Sequence, residues 1–170
     1  MSVEFHDYSI QVKQAIHDKS VAYLHEAAGE VEAQTKRNIP SGGQFYVEQK
    51  QEWTNVVDES KLEATIGNPM QQALWTEFGT GEYAIHGDGR KGYWVYVKGS
   101  DGSLSTKGGK QYNLNEAKQA VAYLRSKGLD ASYTKGQPAK RPFENAFNAL
   151  KSALIRRAEN MMGDLHRTTL

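Results

Sequence analysis

Residues 8–38 set the strongest constraint on how this chain folds. Ile16, Ser20, Tyr23, Leu24, Ala27 and Val31 recur at three- and four-residue spacing, with charged residues on the opposite side. That is the pattern of one long amphipathic helix. Pro40-Ser41-Gly42-Gly43 stops it. At the other end, Phe143, Phe147, Leu150, Leu154, Ala158 and Met161 make a second apolar stripe and predict a closing helix over residues 142–162. The middle changes character. Over residues 45–67 the period becomes two, clearest where Leu62, Ala64 and Ile66 alternate with Lys61, Glu63 and Thr65. The stretch "WTNVV" pairs with it across the turn Asp58-Glu59-Ser60.

Pro69 opens a short helix, "MQQALWTEF", and Gly79 ends it. Trp75 and Phe78 are expected to pin that helix to the core. Glycines at 79, 81, 87, 89 and 92 make the next segment turn-rich. The run "YWVYV" at 93–97 is the strongest strand in the chain, and "GSDGSLSTKGGK" after it reads as an exposed loop. Asn113 or Asn115 caps a further helix with Ala117, Ala120, Val121 and Leu124 as its apolar face and Gly128 as its end. "LDASYT" then forms a strand beside "YWVYV". The fold class is α+β: a long N-terminal helix, a small antiparallel or mixed sheet and an amphipathic C-terminal helix. At 170 residues this is one domain, 1–170, with an inserted arm and strand-helix-strand unit at about 82–137.

Charge and cysteine content narrow the chemistry. Twenty-one Lys and Arg against twenty Asp and Glu leave a net +1, so any contact with nucleic acid has to come from a local patch. Apolar residues are only 38% of the chain, which points to exposed arms or loops. The chain has no cysteine, which excludes disulfides, thiolate catalysis and cysteine zinc sites. The opening "MSVEFHDYSI" lacks the basic and apolar regions of a signal peptide, and no apolar run approaches a membrane span; a soluble, cytoplasmically made protein is expected.

Three chemical readings deserve weighing. Gly79-Thr80-Gly81 invites a phosphate loop, but such a loop needs a lysine and a hydroxyl after the last glycine, and Glu82 stands there instead. No strand precedes these glycines, so a dinucleotide fingerprint also fails. The better reading is a helix-ending corner. Glu77, Glu82, His86 and Asp88 cluster in sequence, yet two ligands on a glycine-rich loop fall short of the three or four a metal requires. His6, His17, His25 and His166 show no paired spacing, and Ser41 and Ser60 lie in no nucleophile elbow. The third reading is electrostatic. Residues 85–110 carry Arg90, Lys91, Lys98, Lys107 and Lys110 against Asp88 and Asp101, with Tyr93, Trp94 and Tyr96 interleaved. Positive charge with aromatic stacking is how single strands are held, although strand aromatics are equally ordinary sheet residues.

Two stretches together resemble a known family. "ALWTEFGTGEY" is similar to the E-F-G-T element of the tail-completion (head–tail joining, neck) proteins of tailed phages, here Trp75, Glu77, Phe78, Gly79, Thr80 and Gly81. "GQPAKRPFENAFNALKSALIRRAE" resembles that family's closing element, in which a Pro-Phe opens the last helix, here after Arg141 at Pro142 and Phe143. The segment between them looks like an insert carried by members from phages and prophages of Gram-positive hosts. Glu144 and Asn145 depart from the apolar residue and proline that many relatives carry there. The resemblance implies a structural virion protein without catalysis or cofactor. Such a subunit closes a ring of six at the neck between a head connector or stopper and a tail terminator or tail tube. It is made in the host cytoplasm, meets tape measure protein or DNA in the channel, and has no membrane partner. The arm at 85–110 is then the candidate interaction element. Two rivals stand beside this reading: a DNA-binding module using residues 90–110, and a small hydrolase built on Glu77, His86 and Asp88.

Overall fold

In the computed structural model, which describes residues 7–87, 89–100, 104–106 and 109–168, the chain is α+β and divides into two compact units. The first joins residues 1–70 to 142–170, and the second is the intervening Gln71–Arg141. The second unit therefore takes in the short helix and its glycine corner as well as the expected 82–137. Among the described residues, no helix is long and apolar enough to cross a membrane.

Unit 1 is built on two long helices, α1 (Ser9–Asn38) and the last helix of the chain (Pro142–Thr168). They run antiparallel. Asn38 Nδ2 donates to the Pro142 carbonyl at 3.0 Å, and the Tyr23 hydroxyl donates to the Leu154 carbonyl at 2.6 Å. Arg157 donates to both Glu26 and Glu30 across the pair. Ala28, Val31 and Thr35 are buried on α1, and Ala146 and Leu154 on the last helix. Thr35 is accommodated because its hydroxyl donates to the Val31 carbonyl at 2.8 Å.

The expected period of two fails over the first part of residues 45–67. Gln44–Gln51 is a helix, α2. Its inward positions 45, 46, 49 and 50 follow helical spacing, but two of them are Gln49 and Lys50, so hydropathy hides the face. From there the hairpin forms as expected: β1 (Thr54–Asp58) pairs antiparallel with β2 (Glu63–Gly67), Val57 opposite Ala64 and Asn55 opposite Ile66. Leu62 does not join the alternation. It sits in the turn at φ 53°, 40% exposed. Asp58 closes that turn by accepting from the backbone N–H groups of Ser60 and Lys61.

The expected stripe of the last helix holds at Phe143, Leu150, Leu154, Ala158 and Met161, each buried or half-buried, and departs at Phe147. Leu154 is buried, but Phe147 is 42% exposed and Ala146, one position earlier, is fully buried. Phe143 is held by an aromatic stack, its ring parallel to that of buried Trp53 at 5.7 Å.

Unit 2 starts with α3 (Gln71–Phe78) and a 3-10 turn, Gly81–Tyr83. A three-stranded antiparallel sheet follows, made of β3 (Trp94–Lys98), β4 (Leu104–Thr106) and β5 (Asp130–Thr134) in the order β4-β3-β5. Helix α4 (Leu114–Ser126) crosses one face of that sheet. Its start is fully specified: Asn113 accepts from the Glu116 N–H at 3.0 Å, and Glu116 accepts from the Asn113 N–H at 2.9 Å. Val95, Ala117, Val121 and Ala131 form the core, with Tyr93, Val97, Leu124 and Tyr133 packed on it. β4 lies inside the stretch expected to be an exposed loop. Its residues show no apolar alternation, and β3 supplies the pairing that makes it a strand.

Candidate functional site

Gly79-Thr80-Gly81 is a corner in which two distant pieces of backbone cross at contact distance. The Gly79 N–H closes α3 onto the Trp75 carbonyl at 2.9 Å, with Gly79 at φ 73°. Beyond it the chain bonds to the segment after β5. Thr80 N–H donates to the Gln137 carbonyl at 2.9 Å, Glu82 N–H to Lys135 at 2.9 Å, and Lys140 N–H to Thr76 at 2.8 Å. A Cβ on Gly81 would stand 2.2 Å from the Lys135 carbonyl oxygen, and one on Gly136 2.0 Å from that of Thr80. Only glycine fits either place. Glu82 does not face an anion: it pairs with Lys135 at 3.5 Å and accepts the Gly92 N–H at 3.1 Å. The Tyr83 hydroxyl beside the Lys135 ammonium, with the charges of Tyr83 and Glu82, holds that group above its ordinary 10.5.

The same corner forms one wall of a groove of about 500 Å³ over the second face of the sheet. Tyr93, Val95 and Val97 turn toward α4, so Trp94, Tyr96 and Lys98 turn to the other side. Trp94 and Tyr96 form the floor, with Trp75 and Thr80 on one side and Thr106 on the other. Arg90 lies over the Trp94 ring, 5.3 Å from its centre, and donates to the Lys110 carbonyl at 2.7 Å. Lys110 in turn lies over Tyr112 at 5.0 Å. The units differ in charge. Unit 2 has eleven Lys and Arg against six Asp and Glu, a formal +5, and unit 1 has ten against fourteen, −4.

The residues singled out from sequence are thus redistributed. Trp75 and Phe78 do not pin α3 to the core: they are 42% and 38% exposed, and the buried side is Ala73, Thr76 and Glu77. Thr76 can be buried because its hydroxyl bonds the Gln72 carbonyl one turn back. Nor is 85–110 one free arm. Tyr93 packs in the core, Trp94 lies in the central strand, Arg90 and Lys110 lie over aromatic rings, and Lys91, Lys98 and Lys110 are exposed. Lys107 lies outside the described residues, as do Asp88, Asp101 and His6, and the His166 side chain. Glu77 is buried, whereas His86 is exposed with its ring 5.2 Å from that of Phe78. Among the described residues, no group of three His, Asp or Glu is placed to hold a metal. Arg141 adopts φ 51° immediately before Pro142 starts the last helix. Sequence reasoning did not single out Thr106, Thr134, Gly136 or Gln137 as groove residues. Only the pairing of Tyr96 with Thr106 and Trp94 with Thr134, and the return of residues 135–140 to the corner, bring them there.

Fold and groove together define an α+β protein with an aromatic, hydroxyl-lined cleft in its second unit. Compared with models of protein families, with curated proteins and with solved structures, the chain matches none of them.

Proposed function

We propose that this chain is a structural virion protein of a tailed phage or prophage, a neck subunit that completes the tail and joins it to the head connector. One observation carries the reading. The two stretches that resemble the tail-completion family bond to each other: Thr76 and Thr80 on one side meet Lys140 and Gln137 on the other. An E-F-G-T corner and a G-Q-P-A-K-R-P-F segment that interlock in this way are parts of one device, as elements shared across a family would be. The subunit acts in a ring of six, between a connector or stopper and a tail terminator or tube protein.

Deletion of the gene from the phage or prophage genome, followed by electron microscopy of the particles, tests the proposal. Filled heads and separate tails, restored to whole particles by complementation, are expected. Normal tailed, infectious particles from the deletion would overturn it.

A further inference from the structure

The groove face of the unit 2 sheet has an order to it that the neck reading does not use. Along β3 the outward residues are Trp94, Tyr96 and Lys98, and the Arg90 guanidinium lies over the face of the Trp94 ring. At about 3.3 Å per strand residue, the two rings stand about 7 Å apart, room for two splayed bases on neighbouring platforms. Hydroxyl residues flank them: Thr106 and Ser132 lie opposite Tyr96, and Thr134 opposite Trp94. Gln137 lines the same groove.

We infer that this groove is a binding site for single-stranded nucleic acid, with bases stacked on Tyr96 and on the Arg90–Trp94 pair and phosphates met by the charges of Arg90 and Lys98. Aromatic rings in sequence-tolerant contact with bases, beside cations that follow the backbone, are the usual means of holding a single strand. A guanidinium plane also serves as a stacking surface for a base. Charge selects this occupant over an uncharged saccharide, which the rings and hydroxyls could also accept. The unit carries a formal +5, with Arg90 over Trp94 and Lys98 two residues beyond Tyr96 on the same strand. A duplex is disfavoured, because its bases are already stacked on each other and their faces are closed to the rings. The inference stands or falls separately from the neck reading, since it concerns the isolated protein.

The test titrates the full chain with a labelled oligothymidylate of about 12 nucleotides, following anisotropy and tryptophan fluorescence. Binding with quenching is expected. With two phosphate contacts, affinity should fall about sevenfold between 50 and 200 mM salt, and only about threefold in Arg90→Gln. Tyr96→Leu keeps an apolar side chain in the sheet but removes the π-face, and should weaken binding at least about fivefold with an unchanged melting temperature. Trp75→Leu in the groove and Lys98→Gln beside it provide second probes should Tyr96→Leu fail to fold; either should weaken binding and leave the melting temperature unchanged. The inference is overturned by no binding at low salt, by equal affinity for duplex DNA, or by quenching with maltohexaose that is indifferent to salt.

Discussion

Thr80 and Gln137, 57 positions apart, hold each other by two hydrogen bonds: the Thr80 N–H donates to the Gln137 carbonyl at 2.9 Å, and the Gln137 N–H donates to the Thr80 hydroxyl at 3.0 Å. The hydroxyl substitutes for a backbone acceptor at a crossing too tight for ordinary strand pairing. Thr80→Val keeps the shape and leaves the Gln137 N–H without that acceptor, so it should cost about 1–3 kcal/mol. Thr80→Ser should retain most of the stability. Urea midpoints of the two variants decide it, and equal midpoints would remove the hydroxyl from the account.

Gly136 should be the least replaceable glycine of unit 2. A methyl group there enters the Thr80 carbonyl at a φ of +122°, so Gly136→Ala combines a backbone clash with conformational strain and should cost at least about 3 kcal/mol. Gly128 has a positive φ too, but a Cβ there meets nothing within 4 Å. Gly128→Ala should therefore cost only about 1–2 kcal/mol. Paired thermal melts compare them.

On the last helix the sensitive position is Ala146 rather than Phe147. Phe147→Ala removes a ring already 42% exposed and should cost about 1–2 kcal/mol, well short of the loss for a fully buried phenylalanine. Ala146→Leu forces bulk into a site with no exposure and should cost about 1–3 kcal/mol or block folding. A larger loss for Phe147→Ala than for Ala146→Leu would contradict this packing.

Acid should weaken unit 1 partly through Glu32. Burial alone would raise its pKa, but hydrogen bonds from Lys36 and Asn55, with the Lys36 charge, outweigh burial and hold it below the ordinary 4.5. A carboxyl depressed on folding contributes its stabilisation in full above its unfolded pKa and loses it as pH falls through the folded one. The wild-type stability should therefore drop below about pH 4.5 by an increment that Glu32→Gln lacks. Denaturation midpoints of both proteins between pH 3 and 6 measure it, and parallel curves would exclude Glu32 as a contributor.

Where hydrophobic period and local signals agree, the amino-acid order alone determined the result. The stripe from Ile16 to Val31 dictates α1, Ala64 and Ile66 dictate β2, and an asparagine cap at 113 or 115 with Gly128 brackets α4, because each rests on contacts within a few residues. The strength of β3 was legible as well, and with it two of the groove's rings. Burial was not. Nothing near Trp75 or Phe78 says that they face outward while Thr76 and Glu77 are buried, and nothing near Phe147 says that Ala146 takes the interior place. β4 exists because β3 lies beside it, and the groove because α4 covers one sheet face while residues 135–140 return to the glycine corner. The physical reason is range. Helical and strand periods are set by neighbours along the chain, whereas burial and edge pairing depend on partners tens of residues away, which only the tertiary structure brings into contact.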